Sequence, residues 1–209
     1  RHPVMLWMRD AALADAIGAH RVNERYLPGV RLHEALIASA DFDAACTWLA
    51  QGPSIAVLAS PVSGFSELLE RLLARLPENC VGVVWLCKGI EAGTMLLPHQ
   101  IARARLGGRA GAALAGPSFA QEVAAGLPVA LTVAGGSPAL EQCVLEAFHH
   151  GAARIYTSDD VLGVELGGAL KNVMAIAAGI ADGLELGMNA RAALITRGLA
   201  EISRLGLAL

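Results

Sequence analysis

With 209 residues and 55% apolar side chains, the chain can build a full hydrophobic core, which excludes an intrinsically disordered segment. Aromatics are only 4%, so Ala, Leu, Val and Ile must fill that core, as they do in α/β proteins. A net charge of -3, with basic residues dispersed, offers no footprint for nucleic acid or an anionic membrane.

Short aliphatic or β-branched runs alternate with helix-like segments, the pattern of a mostly parallel sheet wound with helices. Strands are predicted at 4–7, 54–59, 81–87, 112–115, 129–133 and 154–156, and helices at 10–20, 42–49, 64–76, 98–106, 119–125 and 138–148. The first strand, Val4-Met5-Leu6-Trp7, runs into Arg9 and Asp10 and reads as a second strand, ending where an adenosine ribose is recognised. No GxGxxG turn precedes it, and Gly107-Gly108-Arg109-Ala110-Gly111 lacks the spacing, so the first βα unit is expected to be missing. The opening Arg1-His2-Pro3 has neither an initiator Met nor a signal-peptide pattern, and missing upstream sequence is expected. The uncharged stretch 123–140 is interrupted by Gly126, Pro128, Gly135, Gly136 and Pro138, so no membrane insertion is expected. Cys46, Cys80, Cys87 and Cys143 form no CxxC pair and the histidines no HExxH pattern, so reduced thiols and no metal are expected.

After Tyr156 the pattern changes. Ser158-Asp159-Asp160 predicts an N-cap and two first-turn carboxylates for a long helix, and the domain boundary is set there. A dinucleotide-binding domain is expected over 1–157 and the beginning of a helical substrate domain over 158–209, truncated because the helix from Asn189 is still running at Leu209. Over 161–180 the only charged residues are Glu165 and Lys171, and six positions on a helix separate them by roughly 240°. They are expected on different faces. Gly163, Gly167 and Gly168 fit close packing of helices, or a local opening beside a cleft. The fold class is α/β, a Rossmann-type doubly wound mostly parallel sheet followed by the start of an all-α domain.

Only two of the sixteen basic residues are lysine: Lys88 in Trp85-Leu86-Cys87-Lys88-Gly89, and Lys171 in Gly167-Gly168-Ala169-Leu170-Lys171-Asn172. Arginine cannot give up a proton in a protein, whereas a lysine in apolar surroundings can, so the restriction marks both for proton chemistry unless composition bias left them by chance.

Six blocks in order carry a resemblance: VMLWMRD at 4–10, NERYLPG at 23–29, CKG at 87–89, GPSFAQEVAAG at 116–126, VLGVELGGALKN at 161–172 and NARAALITRGLAE at 189–201. In these the chain resembles bacterial NAD(P)-dependent sn-glycerol-3-phosphate dehydrogenases. The resemblance implies interconversion of dihydroxyacetone phosphate and sn-glycerol 3-phosphate with NADP or NAD, feeding glycerophospholipid synthesis, in a cytoplasmic, metal-free homodimer. It implies Lys171 as the catalytic proton donor and acceptor, desolvated by its nearly uncharged flanks, and Lys88 as a contact to substrate and cofactor. Gly116, Ser118 and Asn172 join them at the substrate, while Ala120 and Arg9 meet the cofactor, Arg9 at an adenosine 2′-phosphate; Asp10 keeps NAD open. Ser118 also reads as a helix N-cap, and Arg197 with Glu201 as a structural ion pair one helical turn apart. The chain departs from the family at Ala59-Ser60-Pro61, where a Pro-Ser pair is usual, and at CKG, where the family has TKG. Two other readings stand beside it: a β-hydroxyacid or 6-phosphogluconate type of dehydrogenase, and a non-catalytic module that keeps a nucleotide-binding fold.

Overall fold

The structure, a computed structural model, describes residues 2–209; Arg1, first residue of the expected nucleotide-binding domain, lies outside the described residues. Strand β1 (Val4–Trp7) leads through helix α1 (Ala11–His20) to a short hairpin of β2 (Val22–Asn23) and β3 (Leu27–Arg31), and then to β4 (Leu36–Ser39), which pairs in parallel with β1. The main sheet follows as β5 (Ser54–Leu58), β6 (Cys80–Trp85), β7 (Gly111–Ala115), β8 (Val129–Ala134) and β9 (Ala153–Ser158), in that spatial order. Its strands are parallel except where β8 runs against β7. Helices α2 (Phe42–Leu49), α3 (Phe65–Leu73), α4 (Pro98–Arg105), α5 (Ala120–Ala124) and α6 (Pro138–Phe148) connect them. All six predicted strands and the six helices before residue 150 are present, while the hairpin and β4 are additions.

Side-chain alternation makes the sheet two-sided. Val83, Trp85 and Ala113 face one core with Phe65, Leu69 and Ile101, whereas Val84, Ala112 and Leu114 face another with Leu140 and Val144. The parallel register of β6 and β7, Val83 opposite Gly111 and Trp85 opposite Ala113, brings both strand ends out at one edge. Lys88 and Gly116 follow those ends directly.

The long helix α7 (Val161–Gly183) crosses from the opposite edge, and α8 (Gly187–Ala208) folds back on it. Its N-cap is Asp160, whose carboxylate accepts from Gly163 N at 2.8 Å, while Ser158 Oγ accepts from Asp160 N at 3.1 Å. The expected pair of first-turn carboxylates is therefore corrected: one acid caps and the other stays outside, and the first turn carries none. The helix is also unbroken through Gly167 and Gly168, so no local opening forms there. By length and composition α7 is the one described helix that could cross a membrane, but Glu165 and Leu166 on it are buried against the sheet domain.

Candidate functional site

Two turns and one helix assemble the site. Gly89, at φ 118, turns the chain sharply after Lys88, a conformation that a side chain would strain. Gly116 packs against β8 so tightly that a Cβ would run into the Ala130 carbonyl. Lys88 Nζ reaches the Gly116 carbonyl at 3.5 Å and Ser118 Oγ reaches the same oxygen at 3.5 Å, both at the long limit of a hydrogen bond.

Helix α7 completes it. At Gly168 the helix lies on the Lys88 stem, where a Cβ would stand 3.5 Å from Lys88 Cγ, an ordinary packing distance. One turn on, Lys171 Nζ lies 5.9 Å from the centre of the exposed Phe119 ring, a cation–π distance. It is also near enough to Lys88 to act on it. Burial first, then the positive charge of Lys171 and a hydrogen bond with it, push the Lys88 pKa below that of an ordinary lysine. The desolvation that the sequence pointed to at Lys171 is found instead on Lys88, the lysine packed beneath α7.

Among the sequence-predicted residues, Lys88, Lys171, Gly116 and Ser118 come together. Ala120 begins α5 beside them, exposed. Asn172 is exposed on α7 with no hydrogen-bond partner among the described residues. Arg9 is exposed just past β1 and lies in the loop before α1. The reading of Ser118 as an N-cap is corrected: Phe119 holds the N-cap position and no side chain caps α5, because Ser118 Oγ turns back to Gly116. Arg197 and Glu201 do form the expected ion pair, at 2.8 Å on the surface of α8.

Two residues escaped the sequence reading. Phe119 was visible only as part of GPSFA, and its exposure beside Lys171 marks it. Glu165 is buried; its Oε1 accepts from Trp85 Nε1 at 2.7 Å, and its Oε2 accepts from the His99 backbone N–H at 3.2 Å and stands 2.7 Å from His99 Nδ1. The signal for it was the six-residue offset from Lys171, which the structure resolves into two different faces. Cys87 lies near enough to Glu165 to feel its charge, its thiol pushed up to about 12 by burial first and by the Glu165 charge second.

A family model described as NAD-dependent glycerol-3-phosphate dehydrogenase N-terminus matches residues 1–140, and its C-terminal counterpart matches 160–209. The chain belongs to the NAD-dependent glycerol-3-phosphate dehydrogenase family. It is 57% identical to the glycerol-3-phosphate dehydrogenase (NAD(P)+) of Cupriavidus taiwanensis, across 99% of this chain and 63% of that protein. The crystal structure of glycerol-3-phosphate dehydrogenase from Coxiella burnetii superposes with a TM-score of 0.86 at 38% identity, covering 96% of this chain and 60% of that one. The Saccharomyces cerevisiae enzyme gives a TM-score of 0.79 at 27% identity, covering 97% of this chain and 60% of that one. The chain thus spans less than two thirds of the length of these relatives. The family match sets aside the β-hydroxyacid and 6-phosphogluconate alternative.

Proposed function

We propose that this site transfers hydride between a nicotinamide and the central carbon of a triose phosphate, interconverting dihydroxyacetone phosphate and sn-glycerol 3-phosphate. The observation that carries the reading is the meeting of Lys88, Lys171 and the 116–118 turn at one sheet edge, from three distant stretches of chain. Ligands of open α/β sheets gather at that edge.

The cofactor, NADP or NAD, supplies the hydride when bound, and the described residues fit it at two points. Arg9 is exposed and makes no ion pair among the described residues, whereas the Asp10 carboxylate is already taken, by Leu13 N at 3.1 Å and by Arg25 at 3.0 Å. A free guanidinium beside an occupied carboxylate suits a 2′-phosphate better than a ribose hydroxyl pair, which favours NADP. Ser60, after β5 at the same edge as Lys88, has a buried hydroxyl with no partner among the described residues, a polar atom that a ligand would satisfy. Lys88 and Ala120 complete the cofactor side.

When the substrate carbonyl carbon takes up hydride, its oxygen gains negative charge. Lys171 gives that oxygen a proton and recovers it in the reverse direction. Lys88 sets a second positive charge at the same oxygen or at the ester phosphate. Ser118 and the Gly116 backbone fix the triose, and the free Asn172 amide holds a substrate hydroxyl. With the 158–209 helices read as the start of the substrate domain, the cleft lies between the two expected domains.

The test is oxidation of NADPH dependent on dihydroxyacetone phosphate, by the full-length protein and its Lys171→Ala variant. Loss of a general acid should slow turnover by about 10²–10⁴-fold; equal rates would refute the assignment. Equilibrium binding of NADPH separates the enzyme from a non-catalytic module, which would show none. The reading carries with it a cytoplasmic role in glycerophospholipid synthesis and a homodimer, which sedimentation equilibrium checks.

A further inference from the structure

We propose that Glu165 is a positioning residue: by tying α7 to Trp85 and His99 it fixes the rotation and advance of the helix that delivers Lys171. This inference rests on the reading of Lys171 given above.

The argument starts from an anomaly. Glu165 is the one buried charged residue among the described residues, and it sits on a face otherwise formed by Leu166, Val161, Val164 and the aromatic core around Trp85. A buried carboxylate is a poor source of stability where an apolar side chain of like volume would pack. Its contacts have a different property. Oε1 is held by the Trp85 indole at the end of β6, and Oε2 by the His99 backbone N–H and its Nδ1 in the first turn of α4. Two oxygens bound to two different elements fix both the rotation of α7 about its axis and its advance along it. Hydrophobic contact, which has no direction, fixes neither as sharply.

The lever from this anchor is short. Lys171 lies six residues on, about 9 Å along the axis, past Gly168, where α7 rests on the Lys88 stem. Side chains reach about 5–6 Å from a helix axis, so a rotation of roughly 10° moves the Lys171 ammonium by about 1 Å. A misplacement of about 1 Å at a reacting group can cost about 100-fold in rate. Lys88 and the 116–118 turn hang from β6 and β7 and do not move with the helix. Loss of the anchor should therefore lower turnover while leaving the groups that hold phosphate and cofactor in place.

The experiment uses the full-length protein and four variants: Glu165→Leu, Glu165→Gln, Trp85→Phe and Lys171→Ala. Activity is scaled to folded protein. Glu165→Leu should reduce kcat by about 30- to 100-fold, with KM for dihydroxyacetone phosphate and the Kd for NADPH changed by less than about threefold. Glu165→Gln keeps one oxygen acceptor and turns an amide donor toward the other anchor, so its loss should be smaller, and Trp85→Phe, which removes only the indole donor, should match it. These two keep the question open to a decisive answer if the leucine variant does not fold. The cycle with Lys171→Ala decides: a residue acting through Lys171 adds little further loss once that amine is gone. Multiplicative losses in the double variants, or folded Glu165 variants with unchanged kcat, overturn the positioning role. Equal rates for the parent and Lys171→Ala overturn instead the reading on which it rests.

Discussion

Lys88 and Lys171 divide the work by their surroundings. Lys88 is pressed between the Gly116 carbonyl, the α7 backbone at Gly168 and the Lys171 amine, so its ammonium is the one that burial and like charge disfavour. As pH rises through its lowered pKa, the folded protein loses this charge before an ordinary lysine would. Affinity for a phosphate ester should weaken over that interval, seen as a KM for dihydroxyacetone phosphate that climbs on the alkaline side, and Lys88→Arg, which cannot deprotonate, should flatten the climb. The linkage sign follows: across the same window the unfolded chain binds the extra proton, so this group's contribution to stability rises with pH. Cys87, next in the chain, is tuned the opposite way. With its thiol pushed up to about 12, almost no thiolate exists near neutral pH, and iodoacetamide at pH ~8 should modify Cys87 only after denaturation. Peptide mass spectrometry checks it; rapid alkylation of the native protein would contradict the burial and the Glu165 neighbour to which the shift is ascribed. The sequence marked the two lysines because arginine occupies every other cationic position apart from histidine. The uncharged flanks pointed to Lys171 as the desolvated amine, whereas the resolved lowering is on Lys88, because flanking residues of a helix report its faces and not what packs against them.

Helix α7 is the element on which the site depends, and its local chemistry was partly legible. The offset between Glu165 and Lys171 placed them on different faces, and the structure gives one face to the Trp85–His99 anchor and the other to the cleft. Less legible was the cap, because three consecutive cap-forming residues precede the helix and only the backbone path picks Asp160. Removing that carboxylate by Asp160→Ala should cost about 1 kcal/mol, measurable by urea denaturation. Gly168 makes a sharper test. A Cβ there meets Lys88 Cγ at an ordinary 3.5 Å, so Gly168→Ala should be tolerated and even favour the helix by up to about 1 kcal/mol. Gly168→Leu has no room, and should lift α7 from Lys88 with at least a tenfold loss of kcat/KM while the circular-dichroism helix signal persists. Strand β4 and the β2–β3 hairpin went unread for a different reason: β2 has only two residues, and Pro28-Gly29 in β3 and Ala38-Ser39 in β4 interrupt the aliphatic run that marked the equally short β1.

At the scale of the whole molecule the main sheet separates two jobs. The face toward α4 and α7 holds the Trp85–Glu165–His99 anchor and the helix that bears Lys171, whereas the face toward α6 is closed by Leu140, Val144, Val133 and Ile155 with no member of the candidate site. The two-sidedness was readable only as the doubly wound pattern, since aliphatic runs such as Val83-Val84-Trp85 between helix-like segments imply strands buried on both faces. Which face carried chemistry was not, because that depends on where α7 returns after β9. The asymmetry predicts how core mutations partition. Leu140 is fully buried, and Leu140→Ala deletes its packing and leaves a cavity, which should cost about 2–5 kcal/mol in chemical denaturation. Because the loss falls on the face away from α7, kcat/KM per folded molecule should stay within about twofold of the parent. Trp85→Phe on the other face should do the reverse, with a smaller stability change and a larger fall in kcat, since it removes the donor that Glu165 grips while keeping an aromatic ring against Phe65. If both variants instead lost activity in proportion to stability, the sheet would be transmitting strain from either side equally, and the division of labour between its faces would not hold.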